Sequence, residues 1–356
     1  MYKNDPRTVL TLDAGGTNFV FSAIRGCQEI VSPVRLDAVT DDVNRCLEVL
    51  VEGFTKVKAS LDEEPSAISF AFPGPADYEA GVIGDLPNFP CFRGGVAMGP
   101  YLEEVFGLPV FINNDGNLFA YGEALAGTLP EINARLEASG SSFRYKNLIG
   151  LTFGTGFGGG VVSDGVLLRG DNGCGGDVWL MRTVLNPDKF AEYNVGVKAV
   201  RREYAQLSGE TCELSPKDIF DIAEGTRAGD RAAAREAFRR LGLAAADALA
   251  HALDIADGLV VIGGGLSGAY RYIVPTMVRA VEPWLQMKVL DLTCEEGLKA
   301  LLDDASECIP VPGSSRTVRY RKEKKTGIAV SRLGTSRAVS LGAYAFALHQ
   351  IDSQKR

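Results

Sequence analysis

A buried strand that opens on a glycine-rich turn and continues as a second strand is the feature that most restricts the fold. Residues 148–153 are largely apolar, and residues 154–160 (GTGFGGG) follow them. These glycines contain the letters of a dinucleotide fingerprint, which requires a helix directly after the turn. Here Val161 and Val162 continue as a strand, and Asp164 begins a second turn. The pattern therefore favours a β-hairpin whose glycines face phosphate over a Rossmann turn.

The same pattern occurs near the N-terminus. Two apolar runs flank a polar tip made of Gly15, Gly16, Thr17 and Asn18. Glycine lets an anion approach the backbone closely, so such a tip can bind phosphate. Asp13, at the end of the first run, could hold Mg²⁺ through water, because hard cations prefer carboxylate and water oxygens. Taken alone, the stretch also fits an ordinary hairpin in which the glycines only make the turn.

A third stretch combines a short strand, polar residues and a helix. Residues 110–112 are apolar, residues 113–117 (NNDGN) are polar, and a helical pattern follows. In open α/β sheets, ligands bind where strands end and helices begin. A catalytic role for Asp115 is therefore one interpretation. Helix capping by Asp115 or Asn117 is the other, because both can accept hydrogen bonds from unpaired N–H groups.

Size and composition limit the class of protein. A chain of 356 residues predicts two domains, and a net charge of −8 argues against general affinity for nucleic acid or anionic membranes. No run approaches the roughly 18 apolar residues of a membrane-spanning helix, and the first residues lack an apolar signal core. We therefore expect a cytoplasmic protein. Seven scattered cysteines fit reduced thiols without zinc-ligand spacing, and only two histidines disfavour a histidine-based triad.

The two hairpins and the Asn-Asp strand end between them resemble the ROK family of sugar kinases and repressors. Further motifs agree in order along the chain: residues 72–75 (FPGP), 86–88 (LPN), 122–124 (GEA), 170–173 (GDNG), 260–267 (VVIGGGLS) and 341–343 (LGA). The resemblance implies the α/β, ribonuclease-H-like two-domain fold shared by actin, hexokinase and the Hsp70 ATPase. It predicts a smaller domain of residues 1–117 plus 338–356 and a larger domain of residues 118–337, closing over MgATP and a sugar. It also suggests a homodimer.

The resemblance implies a role for each candidate site residue. Asp115 matches the catalytic base, which takes the proton from the sugar hydroxyl as it attacks the γ-phosphate of ATP. Asn88 and Asn114 match sugar-binding positions. Two phosphate loops and an adenosine loop are also implied; they comprise Gly15, Gly16, Thr17 and Asn18, then Gly154, Thr155 and Gly156, and finally Gly263, Gly264 and Gly265.

The chain departs from the family pattern after the second hairpin. The family's glutamate is replaced by Asp177, a shorter acid, and its histidine by Leu180, which binds neither a hydroxyl nor a metal. The cysteine-rich zinc loop is also missing, so no structural zinc site is expected. Glu192 aligns with an acid that binds sugar after that loop. We therefore include both Asp177 and Glu192 among the predicted substrate-binding residues.

The leading hypothesis is an ATP-dependent carbohydrate kinase that acts on a hexose or an amino sugar. A sugar sensor or regulator with little kinase activity is the alternative, motivated by Asp177 and Leu180. An ATPase of the same fold is a third possibility. A DNA-binding repressor is disfavoured, because the first hairpin begins at residue 9 and leaves no room for a preceding helix-turn-helix.

Two further stretches carry structural expectations. The sequence predicts a hairpin with a basic tip over residues 316–330 and a surface excursion over residues 129–145.

Overall fold

A computed structural model describes residues 2–15, 17–86, 89–210, 213–303 and 305–354. By their contacts, the residues divide into two compact units. Unit 1 consists of Met1–Gly127, Gly160–Gly176 and Leu333–Arg356, and unit 2 consists of Thr128–Gly159 and Asp177–Arg332. The domain boundaries predicted from the sequence refer to segments that fold independently, which a division by contacts does not test. Those boundaries therefore stay a prediction.

Sixteen strands lie in the described residues. They are β1 Thr8–Ala14, β2 Asn18–Arg25, β3 Gln28–Glu29, β4 Val34–Asp37, β5 Ala67–Ala71, β6 Ala76–Asp77, β7 Val82–Ile83, β8 Val110–Asn113, β9 Leu148–Phe153, β10 Phe157–Ser163, β11 Val166–Leu167, β12 Leu259–Gly263, β13 Lys288–Asp291, β14 Ser306–Pro310, β15 Thr317–Arg321 and β16 Lys325–Val330.

Ten α-helices accompany these strands in the same part of the chain. They are α1 Val43–Ala59, α2 Met98–Phe106, α3 Asp115–Leu125, α4 Thr128–Ala138, α5 Val197–Ser208, α6 Pro216–Glu224, α7 Arg231–Ala256, α8 Tyr270–Val281, α9 Glu295–Leu302 and α10 Thr335–Gln354. No helix among the described residues is both long enough and apolar enough to cross a membrane.

The sheet of unit 1 has the strand order β3-β2-β1-β5-β8, and β4 also pairs with β2. Strands β1 and β2 are antiparallel, which confirms the first predicted hairpin. Strands β1, β5 and β8 are parallel, so their carboxyl ends share one edge of the sheet. Its core is rich in aromatic side chains, and the ring of Phe21 packs edge-on to Phe54 with centroids 5.0 Å apart.

Helices α3 and α10 of unit 1 pack with their backbones almost in contact. A Cβ at Gly122 would collide with the carbonyl oxygen of Ala338, and a Cβ at Gly342 would collide with that of Leu118. Glycine is therefore required at both positions. Two of the motifs that suggested the family, residues 122–124 and 341–343, thus hold this helix pair together.

The sheet of unit 2 contains β9, β12, β16 and β13 as parallel neighbours in that order. Strand β9 coincides with the predicted strand 148–153. Strand β10 follows the glycine turn and pairs with β11, which confirms that a strand rather than a helix comes after residues 154–156. The chain passes from unit 2 to unit 1 within β10.

Two expectations were wrong. Residues 316–330 do not form a hairpin with one another, because β15 pairs with β14 while β16 is a parallel strand between β12 and β13. Residues 326–329 are buried and belong in a sheet interior, whereas most of β15 is exposed. The stretch expected to be a surface excursion contains helix α4, since Leu129, Ile132 and Leu136 form a buried face at helical spacing.

Candidate functional site

The first glycine hairpin ends in a tight turn. The N–H of Gly15 donates to the carbonyl of Asn18 at 3.1 Å, and a Cβ at Gly15 would lie 2.9 Å from that oxygen. Thr17 is exposed, and its hydroxyl accepts a hydrogen bond from Asn18 Nδ2 at 3.1 Å. Asp13 is half-buried near the carboxyl end of β1. Gly16, a predicted phosphate-loop residue, lies outside the described residues.

Asn114 caps helix α3. Its Oδ1 accepts a hydrogen bond from Asn117 N at 2.6 Å, and its backbone is extended, as is usual for an N-cap. Asp115 is therefore the first helical residue, and neither it nor Asn117 is the cap. The N-cap position of this helix is therefore filled by Asn114 and not by the Asp115 carboxylate. Because only Oδ1 of Asn114 serves the cap, its Nδ2 group remains available as a donor.

Asp115 has an exposed side chain at this helix start. Its Oδ1 accepts a hydrogen bond from Gly116 N at 2.9 Å. Desolvation by the surrounding protein raises the pKa of the Asp115 carboxyl, and hydrogen bonds from the backbone N–H groups of Gly116 and of Asp115 itself oppose this rise. A carboxylate that reaches solvent and has a raised pKa is suited to accept a proton.

Two buried asparagines support the start of α3. Asn113 Oδ1 accepts hydrogen bonds from Asn114 N at 2.8 Å and from Asn117 Nδ2 at 3.1 Å. Asn117 Oδ1 is buried and has no hydrogen-bond partner among the described residues. The sequence did not assign Asn113 a role, although its position four residues before Asn117 at a strand end was a usable signal. Both side chains fix the backbone that carries Asp115.

Gly160, the last glycine of the 154–160 run, serves packing. A Cβ there would lie 2.7 Å from Gly116 O, 2.8 Å from Asn117 Cα and 2.9 Å from Ala120 Cβ. Strand β10 therefore runs directly against the first turns of α3, and the absent side chain is what permits it. Part of the apparent fingerprint thus positions the helix that begins with Asp115.

The carboxyl ends of β1 and β8 bring the predicted residues of unit 1 to one sheet edge. Strand β5 lies between these two strands, and Phe72 N, just after β5, donates to Asn113 O at 3.0 Å. Asp13 lies in β1 next to its carboxyl end and the hairpin tip follows that strand, while Asn114 and Asp115 follow β8. Asn88, which the sequence also predicts to bind sugar, lies outside the described residues.

The second glycine turn of unit 2 is held by a later segment of the chain. Glu192 Oε2 accepts a hydrogen bond from Phe157 N at 3.0 Å and occupies the space that a side chain at Gly156 would need. Val197 N donates to Gly154 O at 3.0 Å. A Cβ at Gly196 would lie 2.9 Å from Thr155 O. Glu192, predicted only to bind sugar, therefore also holds the turn formed by residues 154–156.

The predicted adenosine loop adjoins this turn. Gly263 ends β12 and pairs in register with Thr152 of β9. Gly264 has a φ of 87°, and a Cβ there would collide with the carbonyl of Phe153, the residue before Gly154. Gly265 begins a 3₁₀-helix, Gly265–Ala269. Unit 2 thus brings residues 154–156 and residues 263–265 together at the carboxyl edge of its sheet.

Comparison with known proteins relates most of the chain to one family. Residues 9–308 match the model of the ROK family. The chain belongs to this family. It is 28% identical over 313 residues to the glucokinase of Thermotoga maritima, covering 77% of this chain and 90% of that protein. It is 29% identical over 286 residues to the N-acetyl-D-glucosamine kinase of Vibrio cholerae, covering 76% and 87% of the two chains.

The structure is similar to that of a relative solved by crystallography. A glucokinase from Parabacteroides distasonis is 56% identical to this chain, with a TM-score of 0.91, and the match covers 98% of this chain and 99% of that one. This likeness confirms the predicted fold class, the ribonuclease-H-like two-domain α/β fold of actin and hexokinase. It also confirms the family resemblance read from the ordered motifs.

Asp177 and Leu180 lie where the sequence predicts a departure from the family pattern. Asp177 precedes a 3₁₀-helix, Val178–Leu180, and is half-buried. Desolvation raises the pKa of the Asp177 carboxyl, and a hydrogen bond from the Trp179 side chain opposes the rise. Leu180, predicted from the sequence to replace the family histidine, is 49% exposed. The Asp177 carboxyl is thus partly desolvated, and the nearby Leu180 side chain offers no hydrogen-bonding group.

Proposed function

We propose that this ROK protein is an ATP-dependent carbohydrate kinase that transfers the γ-phosphate of MgATP to a hydroxyl of a hexose or amino sugar. The predicted enzyme class, a sugar kinase, is confirmed by the relatives described above. The substrate and the residues that act remain our proposal. One observation carries it: the Asp115 carboxylate is exposed at the start of α3, where Asn114 has already satisfied the cap.

Asp115 is the proposed general base. Its carboxylate takes the proton of the attacking sugar hydroxyl, the sugar oxygen forms a bond to the γ-phosphorus, and the bond from that phosphorus to the β–γ bridging oxygen breaks. ADP then leaves with the electron pair of the broken bond. The raised pKa of Asp115 supports this role, because a more basic carboxylate accepts the proton more readily.

The glycine loops are proposed to bind the nucleotide. Thr17 and Thr155 at the two hairpin tips and Gly265 in the adenosine loop are exposed, and hydroxyl and backbone groups at such turns can bind phosphate. No ion pair of Asp13 occurs among the described residues, and its carboxylate is a suitable oxygen donor, so it fits the role of holding Mg²⁺ through water. Bound Mg²⁺ would neutralise phosphate charge.

Sugar recognition is assigned to polar residues of both units. In unit 1, Asn114 offers its Nδ2 group, and Asn88 is assigned from the family motif alone. In unit 2, Glu192 and Asp177 are the proposed carboxylate acceptors for hydroxyl groups. Relatives named as glucokinase and N-acetyl-D-glucosamine kinase support a hexose or its N-acetylamino derivative. The proposal further includes a cytoplasmic homodimer that has no nucleic-acid or membrane partner.

A sugar sensor is the second candidate function. It is favoured by Leu180, because an exposed aliphatic side chain cannot make the hydrogen bonds of the family histidine. On this hypothesis the fold and sugar binding persist while phosphoryl transfer is weak. Hydrolysis of ATP without a sugar acceptor would instead identify an ATPase of the same fold.

The test is ADP release with MgATP across glucose, mannose, fructose, allose and their N-acetylamino derivatives. Asp115→Asn is the test variant, and Asp62→Asn, an exposed aspartate outside the proposed site, is its matched control. Sugar-dependent release that is retained in Asp62→Asn and lost in Asp115→Asn supports the kinase. No ADP release with any sugar, together with a sugar-induced rise in melting temperature, supports the sensor. ADP release at the same rate with and without sugar supports the ATPase.

A further inference from the structure

A basic cavity lies at the amino-terminal edge of the unit 2 sheet. Residues 144–147 precede β9, Asp257 precedes β12, Met287 precedes β13 and residues 324–325 lead into β16, and all of them line a cavity of about 630 Å³. These strands are parallel, so the predicted phosphate and adenosine loops lie at the opposite edge. Strand β9 has 6 residues and spans about 20 Å. The cavity is therefore separate from those loops.

The charge of this cavity opposes that of the whole chain. Six of its lining residues are basic: Arg144, Lys146, Arg319, Arg321, Lys324 and Lys325. Asp257 is the acidic residue that lines it, although the net charge of the chain is −8. Concentrating like charges around a concave surface costs repulsion energy, which a bound anion would offset.

Part of this charge is neutralised within unit 2. Lys325 Nζ lies 3.1 Å from Glu323 Oε2, and Arg144 Nη2 lies 3.6 Å from Glu137 Oε2. Neither Arg321 nor Lys324 forms an ion pair with a carboxylate in the described part of the chain. These two side chains are therefore the clearest candidates to contact an anion.

The basic groups are held in place by aromatic and hydroxyl partners. The Arg321 guanidinium lies over the Phe143 ring, 3.4 Å from its centroid. Arg319 Nη1 donates to Ser142 Oγ at 2.6 Å. The hydroxyl of Tyr145 donates to Lys325 O at 2.6 Å, which ties the loop before β9 to the start of β16. A stacked guanidinium loses little freedom when it binds phosphate, so the cavity is partly preorganised.

We propose that this cavity binds a small phosphorylated anion. Guanidinium and ammonium groups are the usual phosphate donors, and the volume falls within the range of small-ligand sites. The pairing of β15 with β14 places Arg319 and Arg321 on this cavity rather than on a hairpin tip. A phosphoanhydride, a nucleotide and a sugar phosphate share the chemistry that would be recognised. The inference is independent of the proposed kinase function.

The test is hydrogen–deuterium exchange of the full chain, titrated with pyrophosphate in the absence of Mg²⁺. Protection of residues 142–147 and 317–321 reports this cavity, and residues 154–156 report the glycine turn separately. Arg321→Gln/Lys324→Gln is the test variant. Arg45→Gln/Lys56→Gln removes the same charge from the exposed face of α1 in unit 1 and is the matched control. Separate titrations with AMP and glucose 6-phosphate distinguish the sources of phosphate.

We expect saturable protection of the cavity peptides in wild type and in the control. In the test variant the midpoint should rise about tenfold or more, because two charge-assisted contacts are lost. The ligand with the lowest midpoint identifies the class. Absence of protection at millimolar concentrations of all three ligands would overturn the proposal, as would an unchanged midpoint in the test variant. Lys324→Gln alone, a change at an exposed side chain, repeats the comparison if the double variant unfolds.

Discussion

The carboxyl edges of the two sheets present different chemistry. In unit 1, Asn114 caps α3 by accepting from Asn117 N, and the exposed Asp115 carboxylate accepts from its neighbour Gly116 N. In unit 2 the corresponding carboxylate, Glu192, is engaged with the N–H of Phe157 and fills the space beside Gly156. Each acid accepts a hydrogen bond from a backbone N–H, but the Asp115 hydrogen bond joins adjacent residues at a helix start, whereas the Glu192 hydrogen bond joins residues 35 positions apart and supports a turn. The comparison shows that a predicted acidic site residue can also have a structural role.

The largest expected effect is that of removing the Asp115 carboxylate. Asp115→Asn should lower kcat by about 10²–10⁴-fold, because a general base is removed. Stability should not fall. The raised pKa means that the folded state binds this proton more tightly than the unfolded chain does. Ionisation of Asp115 therefore lowers the free energy of unfolding as pH rises from the ordinary aspartate pKa through the higher pKa of the folded state. At neutral pH the variant should melt slightly higher than wild type, whereas a lower melting temperature would trace the lost activity to misfolding.

The engaged acid should behave differently. Glu192→Ala removes the acceptor of Phe157 N, and we expect kcat/KM for MgATP to fall about tenfold or more as the 154–156 turn loosens. Glu192→Gln keeps an acceptor oxygen and should restore most of this loss when ATP is varied. If the glutamine variant is as impaired as the alanine variant toward ATP, the charge rather than the hydrogen bond matters, and the contrast between the two acids is wrong.

Two glycines separate packing from ligand approach. Gly160→Ala should lower the free energy of unfolding by about 1–3 kcal/mol, because its methyl group would press on Gly116 and Ala120. Gly154→Ala is the matched control, since no described atom lies within 4 Å of the Cβ position. Its melting temperature should stay near that of wild type, while its KM for ATP rises. Equal loss of stability in both variants, measured by denaturant unfolding, would contradict the division.

The smallest expected effect is a displacement of the pH profile. The acid limb of kcat/KM should lie above the range of an ordinary aspartate, because the base must be ionised and its pKa is raised. The pKa of Asp177 is also raised by desolvation, so Asp177→Asn is the discriminating variant. In Asp177→Asn the acid limb of the kcat/KM profile should persist, while the KM for sugar changes. Its disappearance in Asp177→Asn would assign the titration to unit 2.

Local pattern was enough to predict the elements that carry the candidate site. Strand 148–153 was predicted with its observed bounds, and both glycine hairpins were recognised because apolar runs flank a glycine turn. The order of modest motifs identified the family. These features depend on residues that are neighbours in the sequence, and they can therefore be predicted from one sequence alone.

Features that depend on distant partners were not predicted. Asn114 rather than Asp115 or Asn117 caps α3. All three are polar and lie within four positions of one another, so the sequence offered no basis for choosing the capping residue. The partner of β15 is β14 rather than β16, because burial in the sheet decides where β16 goes. The hold of Glu192 on the 154–156 turn joins residues far apart in the chain. None of these contacts has a periodic signature.

The glycine-mediated contact between α3 and α10 has a consequence for biosynthesis. On the ribosome, α3 emerges before unit 2, yet α10, the helix that packs against it, follows all of unit 2 in the chain. The side of α3 that contacts α10 therefore stays uncovered until unit 2 has been translated. A premature stop just before Thr335 would leave the proposed catalytic carboxylate on a helix without its partner, even though every residue assigned to chemistry had been synthesised.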